Sequence, residues 1–310
     1  MNPISHDLYQ LPGQDELTPI EIQRDIIYVK RDKPVTVETA WTFWGPIVGE
    51  DSRHRPLANH WVADDPGATN MEFSQLENAQ TVAEAIAIAH RAGIPAHNFL
   101  VADRTGSIGW TIAGKLPDRV GFDGRLPVSW SFGDRRWNGF LPSEAVPTLV
   151  SPQLDRIWTA NNRLVGGASL ARIGDGGYAS PPRARQVRDA LARLKNVTAG
   201  ELQAIQLDDR AIFLTRWQKL LLAALTPDAV KQKKSRAELR RLVENWDPRA
   251  SVTSVGYRLV RSFRTVTTEL VLAPIFAPCV ESMPAFNWHQ FNYEPALWAL
   301  LRDRPAHLLN

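Results

Sequence analysis

The chain has 310 residues, 44% hydrophobic and 22% charged, enough apolar material for a substantial core in one large domain or two modest ones. Its 36 Lys and Arg against 33 Asp and Glu leave a formal charge of +3, so the totals exclude the strong basic field that a polyanion partner needs, and no nucleic-acid partner is expected. One cysteine excludes an intrachain disulfide, and no stretch reaches the roughly 18–20 uninterrupted apolar residues of a membrane-spanning helix, so no membrane partner is expected.

Localisation stays open, because residues 1–7 lack the basic start, apolar middle and small-residue cleavage site of a secretory signal. From the N-terminus, residues 25–30 (DIIYVK) and 36–43 (TVETAWTF) carry the β-branched and aromatic enrichment of strands. Val82, Ala85, Ile86 and Ala89 share one face at helical spacing, stopped by Gly93 and Pro95, which predicts a helix over 81–92. Residues 98–114 hold two apolar runs around Asp103-Arg104-Thr105-Gly106 and predict a hairpin. A loop-rich stretch at 117–152 contains five prolines, and 156–161 (RIWTAN) reads as a strand ended by Asn161.

Beyond that point the pattern turns helical. Ser180-Pro181-Pro182 opens a helix whose stripe is Val187, Leu191 and Leu194. Thr198-x-x-Glu201 and Ser235-x-x-Glu238 are capping-box patterns, and further helices are predicted at 212–225, 254–272 and 294–301. Cys279 reads as core filler in the apolar segment 272–280. A β-rich first half (1–165) and a helical second half (166–310) argue for an α+β fold, and eleven Trp against three Met favour a cleft-bearing fold over a helical bundle.

Chemical signatures are sparse. The basic run at 231–241 has no interleaved aromatic residues and reads as a solvated helix start. The seven histidines lack metal-ligand spacing, and there is no Gly-x-Ser-x-Gly elbow, phosphate loop or Gly-x-Gly-x-x-Gly. What remains is a set of polar residues in or beside apolar strands: Trp44-Gly45-Pro46, Asn98, Asp103, Asn161-Asn162 and Arg183. Each, by itself, reads first as a structural hydrogen-bonding residue.

Taken in order, these segments resemble the penicillin acylase family. Thr42-Phe43-Trp44-Gly45-Pro46-Ile47 is similar to its (H/W)GP(V/I) strand, and Asn98 to Gly109 with Gly114-x-x-Pro117-x-Arg119 to its next hairpin. Trp137-x-Gly139-x-x-Pro142, Thr159-Ala160-Asn161-Asn162, Arg183-Ala-Arg-Gln-Val-Arg-x-x-Leu191 and, near the end, Arg302-x-Arg304-Pro305 continue the match. The resemblance implies part of an αββα four-layer N-terminal-nucleophile hydrolase fold, with 1–310 an incomplete large-subunit domain. It implies transfer of the acyl group of a linear amide to an N-terminal serine and then to water, with no cofactor for catalysis. By the same resemblance Asn161 is the oxyanion donor, Arg183 gives electrostatic support and Ile108 lines the substrate pocket. A structural calcium ion is implied, with Asp7 and Asp175 at ligand positions. No nucleophile is expected in this chain. Its expected partners are a small acyl-amide substrate and a small subunit and Ser-led segment of the same precursor, without which the chain would be inactive. The alternative is a non-catalytic binding or structural descendant of the fold.

Overall fold

The computed structural model describes residues 7–152, 155–174, 177–195 and 197–308. They divide into two compact units, one made of 7–159 with 163–174, the other of 160–162 with 177–308.

The first unit is built from short antiparallel strands. β1 (Leu8–Gln10) pairs with β2 (Leu17–Pro19), while β3 (Glu21–Ile27), β4 (Val35–Thr42), β5 (Gly45–Glu50) and β6 (Pro56–Ala58) form a four-stranded sheet in that order. α1 (Val82–Arg91) starts in a capping box: Thr81 Oγ1 accepts from Glu84 N, and the Glu84 carboxylate accepts from Thr81 N. Its buried face, Val82, Ala85, Ile86, Ile88 and Ala89, packs on the hairpin of β7 (His97–Ala102) and β8 (Ile108–Ala113). Gly109 makes that approach possible, since a Cβ there would lie 2.6 Å from Val82 Cγ1. β9 (Pro117–Val120) pairs with β10 (Arg136–Phe140), β11 (Thr148–Val150) extends the β7–β8 sheet, and α2 (Gly167–Ile173) ends the unit.

All seven residues of β3 are exposed, at the edge of its sheet. Ile22, Ile26 and Ile27 are each more than half exposed. Isolated exposed apolar residues are ordinary, but three on one edge strand mark a surface suited to a partner.

The second unit is helical: α3 (Pro182–Leu191), α4 (Ala199–Gln206), α5 (Thr215–Ala224), α6 (Pro227–Gln232), α7 (Ser235–Glu244), α8 (Val255–Ser282) and α9 (Glu294–Asp303). Its core holds Trp217, Val243, Val260 and Leu297 with no exposed surface. At the centre, Glu294 is 5% exposed. Its Oε1 accepts from Arg216 Nη2 (2.6 Å), Trp217 Nε1 (2.8 Å) and Trp298 Nε1 (3.2 Å), and its Oε2 from Arg264 Nη2 (2.7 Å) and Nε (3.1 Å). One carboxylate therefore joins α5, α8 and α9, and its lone pairs are filled by donors, as a buried charge requires.

Several sequence expectations are corrected. Residues 156–160 form no strand: none of them takes part in a β-ladder, and Asn161 has φ +58°. An apolar run without a ladder partner is not a strand. Three short strands, β9 to β11, lie inside the stretch read as loop. Lys234 is already helical, so Ser235 enters α7 as its first residue and makes no cap, unlike Thr198, whose capping box forms. Cys279 is exposed rather than core filler. α8 runs ten residues past the expected end at 272, through Pro274 and Pro278, which are four apart and both exposed. Its 18-residue window of mean hydropathy 1.3 makes it long and apolar enough to cross a membrane by length and composition, against the expectation that no segment is. Only 11% of that window is buried, and along the whole helix Gly256, Val260, Thr268 and Leu272 are the buried residues.

Burial works against ionisation of Glu294, but the hydrogen bonds from Arg264 and Trp217 outweigh it and hold the carboxyl below its ordinary value of 4.5. Glu294→Ala should lower unfolding stability by about 3 kcal/mol, because it strands the Arg264 charge. A carboxyl depressed in the folded state stabilises fully above its unfolded value and loses that contribution as pH falls through the folded one. The denaturant midpoints of wild type and Glu294→Gln should therefore differ by a constant amount above about pH 5 and converge in acid.

Candidate functional site

Asn161 occupies the left-handed region, which costs most side chains energy and which asparagine tolerates best. Two hydrogen bonds hold its turn: Ala179 N donates to Asn161 O at 2.8 Å, and Ala160 N donates to Asn162 Oδ1 at 3.0 Å. A third fixes the side chain. Arg183 Nη2 donates to Asn161 Oδ1 at 2.6 Å and to Ala160 O at 2.7 Å. Guanidinium has donors and no acceptor, so the amide atom facing it must be oxygen, which assigns the amide orientation. Nδ2 then faces away from Arg183, and it donates to no protein acceptor among the described residues. Both side chains are exposed, in the same unit.

Arg183 is the second residue of α3, whose start is fixed by Pro182 at the first helical position. Ser180 Oγ donates to Asn292 Oδ1 at 2.7 Å, two residues before Glu294. Further along α3, Gln186 Nε2 donates to Asp208 Oδ2 (2.8 Å) and to Arg210 O (3.0 Å). The Arg210 side chain, hydrogen bonded to Asp208 at 2.6 and 2.7 Å, holds that carboxyl well below the usual range. The helix that carries Arg183 is thus tied just before its start and at its middle.

The other residues singled out in the sequence fall elsewhere. Ile108 opens β8 opposite Ala102, half-buried, in the first unit. Asp103 is structural: it accepts from Thr105, Ser107 and Val82 N, closing the hairpin turn and capping the start of α1. The Thr105 hydroxyl first, then Val82 N, lower its pKa. Asn98 Oδ1 accepts from Trp110 Nε1 at 2.9 Å. Gly45 turns the chain from β4 to β5 at φ +132°, where a Cβ would stand 2.0 Å from Asn59 O. Asp7 is exposed in the turn before β1, its carbonyl accepting from Ile20 N, and Asp175 lies outside the described residues. Calcium takes six to eight oxygens. Among the described residues no group of three His, Cys, Asp or Glu is placed to hold a metal, and the second expected ligand, Asp175, lies outside them.

The whole arrangement has known counterparts. The structure shares the fold of a thermostable penicillin G acylase from Alcaligenes faecalis, with a TM-score of 0.67 over 89% of this chain and 50% of that one, at 20% sequence identity. That match shows the fold, a mixed helix-and-sheet one. The penicillin amidase family model matches residues 2–306, and the chain belongs to that family. It is 27% identical over 265 residues to the penicillin acylase 2 proenzyme of Pseudomonas sp. strain SE83, covering 84% of this chain and 33% of that protein. It is 25% identical over 222 residues to the acyl-homoserine lactone acylase QuiP of Pseudomonas fluorescens strain Pf-5, covering 69% of this chain and 27% of the relative. The chain therefore spans about a third of the length of these relatives.

If Arg183 pins the Asn161 amide, Arg183→Met should release it. In 15N-labelled protein the Asn161 side-chain NH2 pair should be dispersed and slow to exchange in the wild type and move to the free-asparagine position in the variant. An unchanged pair would show that the turn alone orients the amide.

Proposed function

We propose that this chain supplies the oxyanion-stabilising part of an amide hydrolase that transfers the acyl group of a linear, non-peptide amide to an N-terminal serine and then to water. The observation that carries the reading is the Arg183 to Asn161 Oδ1 hydrogen bond, which leaves Nδ2 as a preorganised, uncommitted donor. Family membership supports amide hydrolysis as the reaction.

The mechanism follows from charge. As the serine hydroxyl oxygen attacks, its proton passes to the free α-amino group of the same residue, and the carbonyl oxygen becomes an alkoxide. Asn161 Nδ2 donates to that oxygen. Because the amide is held before the charge develops, no reorganisation is needed at the moment of reaction. Arg183 acts through Asn161: it positions the amide, and its positive charge favours an anion nearby. The proposed steps use the serine hydroxyl, its own α-amino group and the Asn161 amide.

The nucleophile in this reading comes from a Ser-led segment beyond these 310 residues, with a small subunit of the same precursor as the further partner. Three observations support it: the chain spans a third of its relatives' length, one of which is a proenzyme; Asn161 is exposed, whereas an oxyanion donor is most effective when water is excluded; and the β3 edge offers an apolar surface for added chain.

The test uses the longer protein carrying the Ser-led segment and a chromogenic acyl amide. Asn161→Ala should lower kcat on the order of a hundredfold or more with little change in KM, the signature of a group that acts only in the transition state. Arg183→Met should lower kcat in the same direction by less. Activity that survives Asn161→Ala intact would overturn the assignment.

A further inference from the structure

A second cleft, of about 420 Å3, lies within the first unit and takes no part in the chemistry above. Trp44, His60, Arg119, Phe122, Trp130 and Trp137 line it. The rings form a continuous aromatic wall. His60 stands 4.1 Å from Trp137 and 5.3 Å from Trp130 between ring centroids, and Trp130 stands 5.5 Å from Phe122 and 6.2 Å from Trp44. The sequence explains the gathering: Trp137 sits directly opposite Arg119 in the β9–β10 ladder, so both point to one face, and Trp44 and His60 are joined by a 2.6 Å bond from His60 Nδ1 to Trp44 O.

The polar groups are almost all donors. Arg119 is half-buried, and burial lowers its pKa. It lies against two residues without side chains, since a Cβ on Gly124 would stand 2.7 Å from its Nε and one on Gly174 3.2 Å from its Nη1. Its hydrogen-bond partner is the last carbonyl of α2, Ile173 O, at 3.4 Å, and no carboxylate lies within ion-pair distance of it among the described residues. Arg125, also on the cleft, is paired with Asp123 at 2.6 Å. The indole N–H groups of Trp110, Trp217, Trp246 and Trp298 each have an acceptor, but those of Trp44, Trp130 and Trp137 have none among the described residues. No Asp or Glu is among the lining residues.

An aromatic wall by itself would also suit a cation. A guanidinium with no carboxylate at ion-pair distance, acted on by Asp123 only from further away, and a lining without Asp or Glu reverse that preference. We propose that the cleft binds an aromatic carboxylate, its ring stacked on Trp130 and Trp137 and its carboxylate oxygens accepting from Arg119 and an indole N–H. The inference uses no part of the Asn161 site and stands or falls separately from it.

Calorimetric titration of the 310-residue protein with 2-naphthoate, 2-naphthol and 2-naphthylmethylammonium compares one ring as anion, neutral molecule and cation. The anion should bind roughly tenfold or more tighter than the neutral compound, and the cation should give no heat of binding. Trp137→Leu should weaken naphthoate roughly three- to tenfold while Trp137→Phe, which keeps a flat face and the fold, retains most of the affinity. Arg119→Gln should remove the preference for the anion, and Arg119→Lys should keep part of it. Equal binding of the three probes, or naphthoate affinity unchanged in folded Trp137→Leu, would overturn the proposal.

Discussion

A buried carboxylate must be filled with donors or it will not stay ionised, and Glu294 imposes that demand on the second unit. Arg216 and Trp217 answer from α5, Arg264 from α8 and Trp298 from one turn further along α9. Five donors on two oxygens leave little freedom for the three helices to slide. The constraint reaches further through Asn292, which accepts the Ser180 hydroxyl immediately before α3 begins. Arg183 stands on the first turn of that helix, and Asn161 is held by Arg183. A core charge and an exposed amide are thus connected by a short series of named bonds within one unit.

The proposed function depends on the last of those bonds. An asparagine in solution offers oxygen and NH2 with equal readiness, so it is a poor oxyanion donor until something selects one end. Arg183 makes the selection because it has nothing but donors. The left-handed backbone at Asn161 and the 2.8 Å bond from Ala179 fix the turn itself. The arrangement is preorganised yet exposed, which fits a chain that covers a third of its relatives' length. An active centre of this kind gains its effect once water is displaced by the groups that complete it.

Much of the fold was legible where one local rule decides the outcome. The helical spacing of Val82, Ala85, Ile86 and Ala89, the capping residue Thr198, and the Asp103 turn between two apolar runs all produced the elements expected of them. Reading failed where tertiary context decides. Residues 156–160 have strand composition but no ladder partner, Ser235 matches a capping box one residue too late because Lys234 is already helical, and α8 continues through two exposed prolines. The site was partly legible. Asn161 and Arg183 were named from their motifs, but nothing in their spacing tells that the guanidinium grips the amide oxygen. Glu294 and His60 were passed over, because a single acid in a helix start and a single histidine beside a tryptophan carry no pattern until the fold gathers their partners.

The central claim is that Asn161 presents its NH2 to the developing oxyanion because Arg183 holds its carbonyl oxygen. The most direct measurement is a crystal structure of the longer protein with a boronic or phosphonic acid transition-state mimic on its N-terminal serine. The account requires Asn161 Nδ2 at roughly 2.7–3.1 Å from the mimic's oxygen with the Arg183 bond to Oδ1 intact. An oxygen held by other donors, with Asn161 turned away, would contradict it.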